Sequence, residues 1–189
     1  MNLSFCITCW HSDFKCFNGL LPHLNSQTKL PDEFIISSST LSLDQIKSIP
    51  KEIKGIPLKS INSKEPLYAG GARNQGAKNC QTDFITFFDI DDIPHPKKIE
   101  MTYQSLNLEG TDAFVHNFNR GNKDFENCDP PYNFDFIKRT TSIYLKPPSN
   151  SFSEVHHGHL TVKTNIVNSM GYDEKMRRAQ DSYFCMDLM

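Results

Sequence analysis

The chain has 189 residues, enough to bury one substantial core and too few for two comfortable domains. Its formal net charge of −2 argues against nonspecific nucleic-acid binding, which needs a basic surface. With 22% charged residues and no apolar run near the ~18–20 residues that cross a bilayer, it has the composition of a soluble protein with no transmembrane segment. The start, Met1-Asn2-Leu3-Ser4-Phe5-Cys6-Ile7, lacks the basic beginning and long apolar core of a signal peptide and reads as a first strand. A cytoplasmic location is therefore expected.

In chain order, strand-like and helix-like segments alternate. Leu3 to Cys9 reads as the first strand, and Ser12 or Asp13 is suited to cap a helix with a Leu20, Leu21, Leu24 stripe. Pro31-Asp32 punctuates, and Glu33-Phe34-Ile35-Ile36 makes a second strand that runs out in Ser37-Ser38-Ser39-Thr40. A short strand is expected around Pro57 to Ile61. Gly70-Gly71 then open a helix over Ala72 to Lys78. Phe84 to Phe88 is the next strand, and Ile99, Tyr103 and Leu106 have helical spacing within Lys97 to Leu106. Thr111 to Asn117 is expected to be a strand. The stretch from Asn119 to Asn150, with Pro130, Pro131, Pro147 and Pro148, reads as loops and short strands. This alternation predicts one α/β domain with a mainly parallel central sheet, right-handed crossovers and flanking helices.

Six cysteines raise the question of zinc or disulfides. Cys6 and Cys9 form a C-x-x-C, but Cys16, Cys80, Cys128 and Cys185 are scattered, and zinc sites usually pair two such couples. An offset of three in a strand puts two thiols on opposite faces. Free thiols in a reducing compartment are the expectation.

The most informative junction is Phe84-Ile85-Thr86-Phe87-Phe88 running into Asp89-Ile90-Asp91-Asp92. An unalternating apolar run fits a parallel strand covered on both faces. If the strand extends that far, Asp89 and Asp91 point to one side, and like charges this close repel. A hard cation relieves that repulsion, and Mg²⁺ or Mn²⁺ commonly bridges carboxylates to substrate phosphates. The plainer alternative is an Asp-rich turn in which Asp92 caps the following helix.

Three segments together resemble one family. The first is Leu20-Leu21-Pro22-His23-Leu24-Asn25-Ser26-Gln27-Thr28 through Pro31 to Ser37. The second runs from Gly71-Ala72-Arg73-Asn74-Gln75-Gly76-Ala77 to Asp89-Ile90-Asp91-Asp92. The third is Gly158-His159-Leu160-Thr161, then Gly171-Tyr172-Asp173-Glu174 and Ala179-Gln180-Asp181-Ser182-Tyr183-Phe184. In this order they resemble the opening helix, the A-R-N-x-G helix with its D-x-D strand, and the acceptor-side block of GT-A-fold, family-2-like nucleotide-sugar glycosyltransferases.

The resemblance implies an inverting, metal-dependent transfer of a hexosyl or deoxyhexosyl group. The donor would be a nucleoside-diphosphate sugar, UDP being the leading candidate, and the acceptor a hydroxyl of a glycan or glycoconjugate. Mn²⁺ or Mg²⁺ would be the cofactor, held by Asp91 and Asp89, with His157 as a third ligand. Asp181 matches the base that deprotonates the acceptor. Thr8, Trp10, Ser38, Ser39, Arg73, Asp89 and Gln180 would contact substrate. The resemblance divides the single domain 1–189 into a nucleotide-binding part, about 1–92, and an acceptor-side part, about 93–189. The end soon after Asp181 suggests one module of a longer polypeptide.

Ser37-Ser38-Ser39 stand where the family usually carries an acidic residue, and Met186-Asp187-Leu188 stand where it often has basic ones. Arg73 could instead pair with a carboxylate such as Asp83. His156, His157 and His159 could form only a solvated turn, Arg177 and Arg178 a charged helix surface, and the aromatics Tyr132, Phe134 and Tyr144 core. Two other readings differ in kind: a haloacid-dehalogenase-type phosphatase with Asp89 as nucleophile, and a degenerate sugar-nucleotide-binding module.

Overall fold

The computed structural model describes residues 1–107, 112–115 and 160–188. Among the described residues seven strands form one sheet: β1 Leu3–Trp10, β2 Glu33–Ser39, β3 Glu52–Ile53, β4 Ile56–Ser63, β5 Phe84–Asp89, β6 Ala113–Val115 and β7 Leu160–Lys163. Their order across the sheet is β3-β4-β2-β1-β5-β7-β6. The central four, β4, β2, β1 and β5, are parallel, while β3, β7 and β6 add antiparallel pairings at the edges. The helices are α1 Phe17–Asn25, α2 Leu43–Ser48, α3 Ala69–Lys78, α4 Lys98–Leu106, α5 Thr164–Met170 and α6 Gln180–Asp187.

Strands β1, β2 and β5 carry side chains into a core on each face, as parallel strands under helices must. Leu3, Phe5, Ile7 and Cys9 of β1 join Phe34, Ile36, Phe84 and Phe88 on one face, against Phe17, Leu20 and Leu24 of α1 and Ile99 and Leu106 of α4. Cys6, Ile35, Ile85 and Phe87 face the other way, toward Ala77 of α3, Val167 of α5 and Phe184 of α6. Cys6 and Cys9 therefore sit on opposite faces of β1, too far apart in direction to share a zinc ion. Burial raises both thiol pKa values, that of Cys9 to about 12.

Several boundaries differ from the sequence reading. A single 3-10 turn, Phe14–Cys16, precedes α1, so Cys16 rather than Ser12 or Asp13 occupies the helix N-cap, and no side chain caps it. Asp92 does not cap α4, whose N-cap is Lys97. The serine run belongs to β2 itself. Of the expected Thr111–Asn117 strand, Ala113–Val115 is seen, and residues 116 and 117 lie outside the described residues. The β3–β4 hairpin turns through Lys54 and Gly55, both at positive φ, the mark of the primed turns that match strand twist.

From β1 the chain crosses by α1 to β2 on one side, and α3 later carries it back over the sheet to β5 on the other. The C-terminal ends of β1 and β5 thus flank the switch point where α/β sheets open a crevice. Thr8 and Asp89 are register partners there.

Candidate active site

β5 ends at Asp89, and Ile90 and Asp91 form a turn, closed by Ile90 N donating to Thr8 O at 3.1 Å and Asp92 N to Asp89 O at 3.1 Å. Strand alternation therefore does not set the direction of Asp91, which is exposed in the turn. Asp89, half-buried, accepts a hydrogen bond from the Thr8 hydroxyl at 2.5 Å.

Helix α3 supplies the centre of the site. Arg73 extends its guanidinium between two acidic residues: Nη1 is 2.5 Å from Asp181 Oδ1 and Nη2 is 3.8 Å from Asp89 Oδ1. Its partners are these two and not Asp83, which lies beyond the opposite end of β5. The residue is 1% exposed, and Nε has no hydrogen-bond partner among the described residues. The guanidinium also lies 5.4 Å from the centroid of the Tyr172 ring, which stacks on Phe184 at 4.1 Å. A buried guanidinium needs such company, because desolvating an unpaired charge is costly.

The neighbouring Asn74 fixes the loop that leads to Asp181. Its Nδ2 donates to Tyr172 O and to Glu174 Oε1, both at 2.9 Å, and its Oδ1 accepts from Tyr172 N at 2.8 Å. Gly70 lets this loop approach: a Cβ there would lie 2.9 Å from Asp173 O. Ala179 adopts φ +61°, then α6 begins with Gln180, whose Nε2 bonds Met176 O at 2.7 Å, and Asp181 follows in its first turn. Asp181 arrives beside Asp89 from 92 residues further along the chain.

The other expected contact residues occupy varied positions. The Ser38 hydroxyl donates within the sheet toward Ile61 O and Asn62 Oδ1, and Ser39 Oγ accepts from Leu67 N at 3.2 Å; both residues are buried. Ser37 is equally committed, donating to Ala72 O at 2.6 Å and accepting from Gln75 Nε2 at 3.1 Å. The triple serine thus docks α3 and the β4 edge onto β2. Trp10 is half-buried at the end of β1, its ring 5.5 Å from that of His11. Arg177 is exposed in the loop before α6 rather than on a helix, and its Nε donates to the Tyr68 hydroxyl at 2.8 Å. His157, His156, His159, Tyr132, Phe134 and Tyr144 lie outside the described residues.

The sequence reading passed over Asn74 and Lys98. Lys98 is 1% exposed and lies 5.6 Å from the centroid of the Phe88 ring. Burial lowers its pKa to about 7, partly opposed by the nearby Asp92 carboxylate. A lysine beside an apolar stripe gives no signal of this kind, since lysines usually stay at the surface.

The glycosyl transferase family 2 profile matches residues 4–175, and the chain belongs to that family. A curated relative, an uncharacterized glycosyltransferase of Methanocaldococcus jannaschii, is 23% identical over 96% of this chain. This chain spans 62% of that relative's length. Among solved structures, S. aureus TarS 1–349, alone and in complex with UDP-GlcNAc, superposes with a TM-score of 0.74 at 15% identity. The match covers all of this chain and 55% and 53% of those chains. The mannosyltransferase PcManGT of Pyrobaculum calidifontis, in complex with GDP-Man and Mn²⁺, superposes at 0.68 with 13% identity over 99% of this chain and 51% of its own. At these identities the likeness establishes the fold, which is GT-A. Family membership leaves the phosphatase reading without support.

Proposed function

We propose that the chain carries the catalytic part of a metal-dependent, inverting glycosyltransferase that uses a nucleoside-diphosphate sugar, UDP first among the candidates, and a hydroxyl acceptor. The observation that carries this reading is the meeting of Asp89 and Asp181 on one buried guanidinium at the switch point of the sheet. One carboxylate closes the donor side, and the other comes from the acceptor-side block. Relatives of the same fold bind UDP-GlcNAc and GDP-Man, which supports a nucleotide-sugar donor.

The residues fit a divalent cation of the kind that PcManGT holds. No three His, Cys, Asp or Glu side chains cluster as a cage among the described residues. Mg²⁺ and Mn²⁺ ask for less, because one or two carboxylates plus substrate phosphates and water complete their shells. Asp91, exposed in the turn after β5, would be the direct ligand, with Asp89 and His157 as the further ligands. Bound there, the cation supplies charge neutralisation of the departing diphosphate.

The protein's own groups do the rest. Asp181 takes the proton of the acceptor hydroxyl as its oxygen bonds to the anomeric carbon. The sugar–phosphate bond breaks on the opposite side, its electron pair leaves with the diphosphate, and the anomeric configuration inverts. Thr8 orients Asp89 through their hydrogen bond. Trp10, at the end of β1, would offer a face to the base, while Ser38, Ser39 and Gln180 would contact substrate from segments that their own hydrogen bonds hold in place. We assign residues 1–92 to donor binding and 93–189 to the acceptor side, within one module of a longer polypeptide. The thiols of Cys6, Cys9, Cys16, Cys80 and Cys185 are free, which suits a cytoplasmic setting.

The test is transfer from UDP-sugars to a panel of glycan hydroxyls, with the product's anomeric configuration read by NMR. Inversion in the wild type, lowered about 10²–10⁴-fold in Asp181→Asn, is the expected result. Retained configuration, or full activity in Asp181→Asn, would contradict it. Nucleotide binding without transfer would instead support the degenerate module.

A further inference from the structure

The family resemblance assigns Arg73 to the donor, yet its surroundings argue for a different task. Its side chain is 2% exposed, enclosed by Asp181, Asp89 and the face of Tyr172. To grip a diphosphate it would have to break its 2.5 Å pair with Asp181, a carboxylate only 15% exposed. Breaking a buried pair from one side is expensive, because the remaining charge stays desolvated.

We propose that Arg73 is a positioning residue: it holds Asp181 where the acceptor hydroxyl meets it, and acts through Asp181 rather than by binding the donor. This rests on the reading of Asp181 as the base. Asp181 follows Ala179 at φ +61°, a conformation that a non-glycine residue keeps only when its surroundings hold it. Consecutive residues of α3 provide that hold. Asn74 ties the loop at Tyr172 and Glu174, and Arg73 clamps the carboxylate at the loop's far end. Helix α3 is itself fixed to the sheet by Gly76, which sits directly on Cys6. The base is thus aimed by a rigid element, although it belongs to a different helix. A lysine at 73 carries a point charge on a flexible stem and cannot reproduce the planar fork that spans two carboxylates.

The experiment measures UDP release from UDP-GlcNAc, with water and added glycans as acceptors, for wild type, Asp181→Asn, Arg73→Gln and Arg73→Lys. Misplacing a reacting group by about 1 Å costs about 10²-fold, so Arg73→Gln should lose about that factor in kcat. Its KM for UDP-GlcNAc should stay within about threefold, and Arg73→Lys should recover part of the loss. A KM raised about tenfold with kcat preserved would make Arg73 a donor ligand and overturn the proposal. A wild type that releases no UDP contradicts the transferase reading itself, and the clamp is then read from thermal melting alone. Melting losses of Arg73→Gln and Asp181→Asn that fail to add in the double variant support the clamp, and additive losses overturn it.

Discussion

Asn74 fixes three polar groups of the 172–174 segment with one amide, using both donors and its acceptor. Asn74→Ala would leave the buried backbone of Tyr172 without these partners, and each such loss costs about 1–3 kcal/mol. Urea unfolding should show a stability decrease of about that size, with a further fall in turnover because the loop aims Asp181. Unchanged stability would mean that the loop is held elsewhere. At this scale the sequence was legible where chemistry is local: the carboxylates after an apolar run stood out at once. The partner of Arg73 was not legible, since 108 residues separate it from Asp181 and no local pattern encodes the meeting. The serines show a second role that no local pattern encodes. The hydroxyls of Ser37 and Ser38 donate to Ala72 O and Ile61 O, because a buried hydroxyl needs an internal partner.

Helix α3 owes its position to what its residues lack. A Cβ at Gly76 would lie 2.4 Å from Cys6 Sγ, inside a core that cannot yield freely. Gly76→Ala should therefore destabilise by about 1–3 kcal/mol despite the better helix propensity of alanine. A melting temperature equal to wild type would show that the helix can lift without loss. In α4 the buried Lys98 gives a pH dependence with a definite sign. Its folded pKa, about 7, is below the ordinary lysine value of 10.5, so the unfolded chain binds the extra proton between the two. Its contribution is full above the unfolded pKa and is lost as pH falls through about 7. Lys98→Met should remove this dependence, so its stability relative to wild type should be greater at pH 6 than at pH 9 by about 3 kcal/mol. A difference independent of pH would show that Lys98 keeps its ordinary ionisation. Long apolar strands such as β1, β2 and β5 were legible because both faces are buried. Helix α2 was not, since it buries no residue and so carries no stripe. Its available signal was the capping box between Ser42 and Gln45.

Across the whole molecule, the order of strands decides where chemistry can happen. The chain leaves β1 in one direction and returns to its other side at β5, so Asp89 sits at the switch point. The antiparallel β7, pairing with β5, then leads into the helices that deliver Asp181. The α/β class and the mainly parallel sheet followed from the alternation of elements, whereas the antiparallel β3 and β7, two and four residues long, are too short to announce themselves. The third segment stood out only through the resemblance of three separated segments to one family, and its packing against α3 was not legible in the sequence. The most direct measurement is a titration of UDP by thermal shift, with and without Mn²⁺, on wild type and Asp91→Ala. A ligand that binds only the folded state raises the melting temperature by mass action. A UDP-dependent rise that needs Mn²⁺, vanishes with EDTA and is lost in Asp91→Ala is the predicted result. No shift with UDP, GDP or dTDP in either metal condition would contradict a nucleotide-sugar site at this sheet edge.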